Sequence, residues 1–455
     1  MALLFVMLSV VLTAQTNRQV FGKTLQSRNP SNGLVRCISS EYEQSLQEKF
    51  PQRANAEEFE NWIAPKVAAI KEQMATQRGT NGLITIPVVV HVIHNGDAVG
   101  TDENISDARI LSQITVLNQD FRKMLGTPGY NSNPVGADME VQFVMAQRKP
   151  NGTATNGIDR VNLNVAQWAT ESSVEGTLKP QTSWDPTRYF NIWVCQFSSS
   201  STAELEGVLG YAQFPSTSGL GGLNANEGAA NTDGLIIDWR CFGSSDYAPG
   251  NYFDDYDKGR TATHEIGHCF GLFHIWGDNS SCTVNATDSN KDYCPDTPAS
   301  RVEHYDCLQT YNTCTSAAGN DMVENYMDYS NDTCMNIFTL DQKGRVLAVL
   351  TNSIRRATLV TSDAGLPLGL SSYDVAGNIS LYPNPASNSI TIHVANNVEL
   401  PEAYTVYNTL GQTIAGKNVQ SEADLSVNTS EFTNGVYFIK IVRGNSVKTL
   451  QFIKR

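Results

Sequence analysis

The 455-residue chain is short of positive charge: 32 Lys and Arg stand against 46 Asp and Glu, a formal net charge of −14. With no basic surplus to neutralise phosphates, the composition argues against a nucleic-acid binder. Long apolar runs are also lacking. No stretch reaches the roughly 20 continuous apolar residues that span a bilayer as a helix, so no transmembrane segment is expected. At 40% hydrophobic and 17% charged, the chain is neither disordered nor collagen-like. Its length suits about two to four domain-sized units. The apolar run ALLFVMLSVVL (2–12) is too short to cross a membrane, and Leu12-Thr13-Ala14 follows it. That pattern predicts a secretory signal over 1–14, although the usual basic n-region is absent. Nine cysteines in an exported chain predict several disulfides and one leftover thiol, with the isolated Cys37 the natural candidate.

Residues 15–53 are polar, contain Cys37, and end at Arg53, a plausible point of removal for a pro-segment. Apolar positions Phe59, Trp62, Ile63, Val67, Ile70 and Met74 recur at helical spacing over 57–78. ITIPVVVHVIHNG (84–96) reads as a strand and turn, and Ile110, Ile114, Leu117 and Phe121 mark a helix over 105–124. Strands are expected at 141–146, 189–197, 209–214 and 234–239. This mixed order predicts an α+β catalytic domain over 54–362, built on a mixed sheet. The turn-rich stretch from Ser362 to Gly369 opens a linker (363–376), and short alternating strands over 377–455 predict a small all-β sandwich.

Of seven histidines, three fall in TATHEIGHCFGLFHIW (261–276). His264 and His268 are four apart, so on a helix their rings lie one turn apart on one face and can chelate a single zinc ion. Glu265 can reach a zinc-activated water as general base without being a ligand. Gly271 can end the helix, because a left-handed backbone carries no Cβ penalty there, and the turned chain brings in His274 as third ligand. Three protein ligands leave the fourth position to water, as catalytic zinc requires. Met327 in Asn325-Tyr326-Met327-Asp328-Tyr329 completes the metzincin signature. His91, His94, His304 and His393 lack ligand spacing and read as structural or surface residues.

THEIGHCFGLFHIWGD, DYCPDTP (292–298) and NYMDYSNDTC (325–334) together resemble the pappalysin family of metzincin metalloendopeptidases over approximately residues 54–360. The resemblance implies hydrolysis of peptide bonds in protein or peptide substrates. It implies Met327 as a hydrophobic floor beneath the metal and Tyr329 as a phenol that stabilises the tetrahedral intermediate. It implies a calcium ion held by Asp292 and the Thr297 position, with Cys294 departing from the family pattern in that loop. It favours the disulfides Cys307–Cys334 and Cys282–Cys314, while spacing leaves Cys294 and a Cys241–Cys269 bridge open. It is also similar in carrying a pro-segment cysteine switch: the Cys37 thiolate can fill the fourth zinc position and make the protein a zymogen. LGYAQF (209–214) is the strand on which an extended substrate can dock. Asp332 can favour a basic side chain after the scissile bond, with Asp328 a competing candidate.

Residues 377–455, from LYPNPASNSITI to TLQFIKR, resemble the sorting domain of the type IX secretion system of Bacteroidetes. The resemblance implies export across the outer membrane and the secretion machinery as a partner. An adhesive or carbohydrate-binding module is the other reading of such a sandwich. For the whole chain, the competing function is a cell-surface adhesin or binding protein whose metzincin domain is inactive.

Overall fold

A computed structural model describes residues 18–76, 82–216, 229–283, 292–366, 379–394, 400–408, 411–443 and 446–455. The expected signal (1–14) and most of the expected linker lie outside the described residues. The chain divides into two units, Met1–Leu366 and Pro367–Arg455.

In the first unit the elements run α1 (Ser39–Lys49), α2 (Ala56–Thr76), β1 (Ile84–His94), α3 (Asp107–Phe121), β2 (Val141–Met145), β3 (Ile158–Asn162), β4 (Phe190–Cys195), β5 (Gly210–Ala212), β6 (Gly234–Asp238), α4 (Arg260–Cys269) and α5 (Leu340–Asn352). The strands form a six-stranded sheet in the order β2-β1-β4-β6-β5, with β3 also pairing β1. All pairings are parallel except that of β5, which lies antiparallel on β6 with Tyr211 opposite Ile236. β1 is central because its β-branched run is buried on both faces, as strands of a covered parallel sheet are. Val88, Val90 and Val92 face one core with Ile110, Leu117, Ala262 and Ile266 of α3 and α4. Ile93 faces a second core, on the opposite side of the sheet.

Helix starts follow local chemistry. Ser106 caps α3 by accepting from the Arg109 amide, and Thr339 and Gln342 form a capping box at α5. α1 was not evident from the sequence. Its buried apolar positions are only Tyr42 and Leu46, and they enter the second core together with Val20, Phe21, Val35 and Ile38. The N-terminal segment is therefore a structural partner of the sheet rather than a polar leader. Arg53, the expected removal point, is buried: its guanidinium donates to Glu43 of α1 at 2.5 Å and to the Phe214 carbonyl at 3.0 Å.

The second unit consists of a three-stranded and a four-stranded antiparallel sheet. Ile390 and Ile392 of the first and Val406, Ile439, Ile441 and Phe452 of the second share one core, so the unit is an all-β sandwich.

Candidate active site

Helix α4 carries the first two histidines and ends as the glycine demands. Gly271 has φ +86°, and its amide bonds the His268 carbonyl at 2.9 Å while the Leu272 amide bonds that of Gly267 at 2.9 Å. The chain reverses and delivers His274. Nε2 of His268 then lies 3.1 Å from Nε2 of His264 and 3.1 Å from Nε2 of His274. All three rings are buried.

The other ring nitrogens are committed. Nδ1 of His264 meets the Tyr326 carbonyl at 2.7 Å, that of His268 the Leu272 carbonyl at 2.8 Å, and that of His274 the Asp278 carboxylate at 2.5 Å. With those nitrogens donating, each Nε2 presents a lone pair to the same point. Burial and the neighbouring rings hold His264 well below the usual imidazole range, and His268 is pushed down to about 3. Burial opposes protonation of His274 too, but Asp278 outweighs it. Three lone pairs converging at this range repel one another unless a cation stands between them. Bonds of about 2.0–2.1 Å meeting at a tetrahedral angle set ligand nitrogens some 3.3–3.4 Å apart, so the donor set fits zinc.

The turn beneath the rings is equally specified. Asn325 accepts from the Met327 amide at 2.9 Å and exchanges two 3.1 Å bonds with Gln342 of α5. Met327 is fully buried, and a Cβ added at Gly267 would stand 2.4 Å from its sulfur, so only glycine lets the turn close on α4. Trp276 stacks on the His274 ring with centroids 4.5 Å apart, and Tyr329 meets that ring edge-on at 4.9 Å.

Glu265 lies in full burial beside the rings. Its Oε2 accepts from Ser39 at 2.8 Å and from the Cys37 thiol at 3.5 Å, whereas Oε1 has no partner among the described residues. Burial pushes its carboxyl up to about 7, against the lowering effect of the Ser39 and Cys37 bonds. Cys37 joins the three histidines in one group whose ligand atoms lie within 4.8 Å of one another. Burial and Glu265 raise the thiol well above its usual range, so a thiolate there needs a compensating cation. Immediately before it, Arg36 donates to Asp332 at 2.8 Å with both side chains fully buried, and Asp332 also accepts from the Lys258 and Arg260 amides at 3.0 and 3.1 Å. Tyr329 Oη donates to the Cys37 carbonyl at 3.4 Å. The segment lies along the sheet edge, with Val35 bridging Val208 in parallel and Ser39 Oγ accepting from the Ala212 amide at 2.8 Å. The expected docking strand is thus covered by the chain itself.

Other sequence expectations distribute differently. Cys282–Cys314 and Cys307–Cys334 are bonded. Cys37 is not a single leftover: Cys195, Cys241, Cys269 and Cys294 are also free and buried. Three of these four lie in the packed cores around the sheet, where they act as small hydrophobes. Asp292 accepts from Thr297 at 2.8 Å and from the Cys294 amide at 3.0 Å. Asp328, the rival for a basic side chain, is taken up by the His304 ring at 2.7 Å. Sequence reading missed Asp278, Ser39 and the pairing of Arg36 with Asp332. Only Asp278 had a local signal, a carboxylate four residues past a metal-ligating histidine.

Comparisons with known proteins agree with this geometry. Residues 242–351 match the family model described as pregnancy-associated plasma protein-A, and residues 380–455 match that of the secretion system C-terminal sorting domain. An extracellular metalloprotease of Arthroderma otae is 31% identical over 289 residues, covering 63% of this chain and 85% of the relative. The chain belongs to the pappalysin family. It is a zinc metalloendopeptidase with a metzincin fold. Among solved structures, mature mirolysin of Tannerella forsythia with a cleaved peptide is 36% identical with a TM-score of 0.50, covering 61% of this chain and 96% of that one. A promirolysin mutant of the same organism is 34% identical with a TM-score of 0.51, covering 65% and 91%. The sorting domain and the extracellular relatives place this pappalysin outside the cell, by way of type IX secretion. Among the described residues no helix is long and apolar enough to cross a membrane. The adhesin reading has no missing ligand to rest on.

Proposed function

We propose that the chain is a latent endopeptidase that, once its N-terminal segment is removed, cleaves peptide bonds on the N-terminal side of arginine or lysine. His264, His268 and His274 hold the zinc, which when bound supplies Lewis-acid polarisation of the substrate carbonyl and acidifies water. Glu265 takes the proton of the attacking water on its partnerless Oε1 and delivers it to the leaving amine. The Tyr329 hydroxyl, freed from the Cys37 carbonyl, donates to the developing oxyanion. Met327 supports the ring cluster from below.

One observation carries the latency and the specificity together. Two consecutive residues of the N-terminal segment fill two different places, Arg36 on the Asp332 carboxylate and Cys37 among the three imidazoles. A buried carboxylate already satisfied by two backbone amides and a guanidinium is a pocket for a basic side chain. Cys37→Ala in the full-length chain tests this. The variant is expected to mature severalfold faster than the parent and then to cleave a mixed peptide library before Arg or Lys; equal maturation rates would sink the switch.

Calcium belongs to the same proposal. Asp292 and the Thr297 position are the oxygen ligands the family resemblance implies for a hard cation, in a loop where the Thr297 hydroxyl donates to Asp292 at 2.8 Å. Thermal unfolding with a calcium-selective chelator that spares zinc is expected to fall by several degrees, an effect lost in Asp292→Asn. An unchanged midpoint in the parent would remove calcium from the account.

A further inference from the structure

A second charged cluster lies close to the catalytic base, on the other face of the sheet. Lys179 is buried with its ammonium 2.6 Å from Glu175 Oε1. Three aromatic rings surround that ammonium, Tyr211 at 4.5 Å, Tyr42 at 5.1 Å and Trp193 at 5.4 Å. Glu175 Oε1 also accepts from Tyr211 at 2.7 Å, and its Oε2 accepts from the Tyr42 hydroxyl at 2.5 Å. That hydroxyl stands 3.4 Å from both Gln213 Oε1 and Thr232 Oγ1, and the buried Gln213 Nε2 has no partner among the described residues. Tyr42 belongs to the N-terminal segment, as does Phe21, whose ring packs on Tyr42 at 4.8 Å and on Tyr211 at 5.1 Å.

When that segment leaves, Glu175 Oε2 loses a donor and Lys179 loses one face of its cage. Both are buried charges, for which a missing partner is costly. The slot left open asks for a flat ring against an ammonium and a hydroxyl donor at the ring's far end. Its place is set by Tyr211, the β5 residue next to Gly210, whose built Cβ would lie 3.4 Å from Glu265 Cγ. Successive strand residues face opposite sides of a sheet, so Gly210 faces the catalytic helix and Tyr211 the slot.

We propose that the slot filled by Tyr42 in the latent chain is, in the matured enzyme, a subsite for a tyrosyl side chain of the substrate. The inference rests on the proposed release of the N-terminal segment and on Asp332 as the pocket for the residue after the cut. Arg36 occupies that pocket and precedes Cys37, so the residues beyond Cys37, Tyr42 included, lie on the opposite side. The tyrosine recognised therefore stands before the scissile bond. A hydrogen bond to a charged acceptor distinguishes Tyr from Phe by about tenfold or more.

The test uses enzyme recovered after maturation of the secreted full-length chain. Matched peptides carry Arg after the scissile bond and Tyr, Phe, Trp or Ala at one of the three positions before it. At one position Tyr is expected to exceed Phe by at least about tenfold in kcat/KM, and Glu175→Gln to bring that ratio close to one. The ratio is internal to each variant, so a general loss of activity does not obscure it. Should Glu175→Gln fail to fold, Tyr42→Phe in the full-length chain reads the same hydroxyl. It is expected to shorten the half-time of maturation severalfold. Equal cleavage of Tyr and Phe peptides at all three positions, a preference for Trp over Tyr, or a Tyr preference that survives Glu175→Gln overturns the subsite. A full-length chain as active as the matured one overturns the latency reading itself, whatever the peptide ratios show.

Discussion

At the scale of single residues, the site is organised around groups left unpaired by the protein. Nε2 of His268 stands 3.1 Å from those of His264 and His274 with no protein donor to bridge them, and Oε1 of Glu265 has no partner among the described residues. Buried polar atoms are rarely left so without a purpose. Glu265→Ala is expected to lower kcat by at least about a thousandfold, in keeping with the loss of a general base. Zinc content by elemental analysis should stay near one per chain. Wild-type cleavage by this variant would remove Glu265 from the mechanism. The histidines and Glu265 were legible because the chemistry fixes their spacing on one helix. Asp332 was legible only as a suspicion, since its meaning comes from Arg36, 296 positions away. Ser39, which donates to Glu265 from the N-terminal segment, carried no sequence signal at all.

At the scale of elements, five of the six sheet strands and helices α2 and α3 were read within a few residues because their apolar spacing is strong, whereas the half-polar β3 (IDRVN) was missed. Helix α1 was missed as well, for its sequence SSEYEQSLQEK is polar and its two buried apolar side chains gain stability only against the sheet. The stretch between α4 and α5 hid another device. His304 joins Asp328 at 2.7 Å and Asp321 at 3.0 Å, and the Asp328 carboxylate also accepts from the Tyr329 amide at 2.7 Å. The Tyr311 ring covers His304 with centroids 4.7 Å apart. Burial opposes protonation of His304, but the two aspartates outweigh it and raise its pKa. The folded state thus holds this proton more tightly than an unfolded histidine of pKa about 6.5. The resulting stabilisation is full below that value and is lost as pH rises through the higher folded one. A plot of melting temperature against pH should therefore show a decline on the alkaline side that His304→Gln flattens. Parallel curves for the two proteins would refute the role.

At the scale of the whole molecule, the two-unit division and the all-β character of the C-terminal unit were visible as a change in strand rhythm near residue 362. What remained hidden was that the N-terminal segment supplies part of the second core, a fact of tertiary packing that no local pattern encodes. The disulfides came from resemblance, and the four further free thiols corrected an expectation built on counting alone.

The parallel bridge between Val35 and Val208 has a kinetic meaning. With substrate proposed to dock antiparallel on the same strand, a segment lying in the parallel sense runs opposite to a peptide that can be cut. On the proposed latency, the segment is not cut by the centre it covers, and maturation is intermolecular. Maturation of purified full-length protein should then follow a sigmoidal time course, with a lag that shortens as concentration rises and vanishes on seeding with finished enzyme. A first-order course independent of concentration would mean that the molecule unlocks alone.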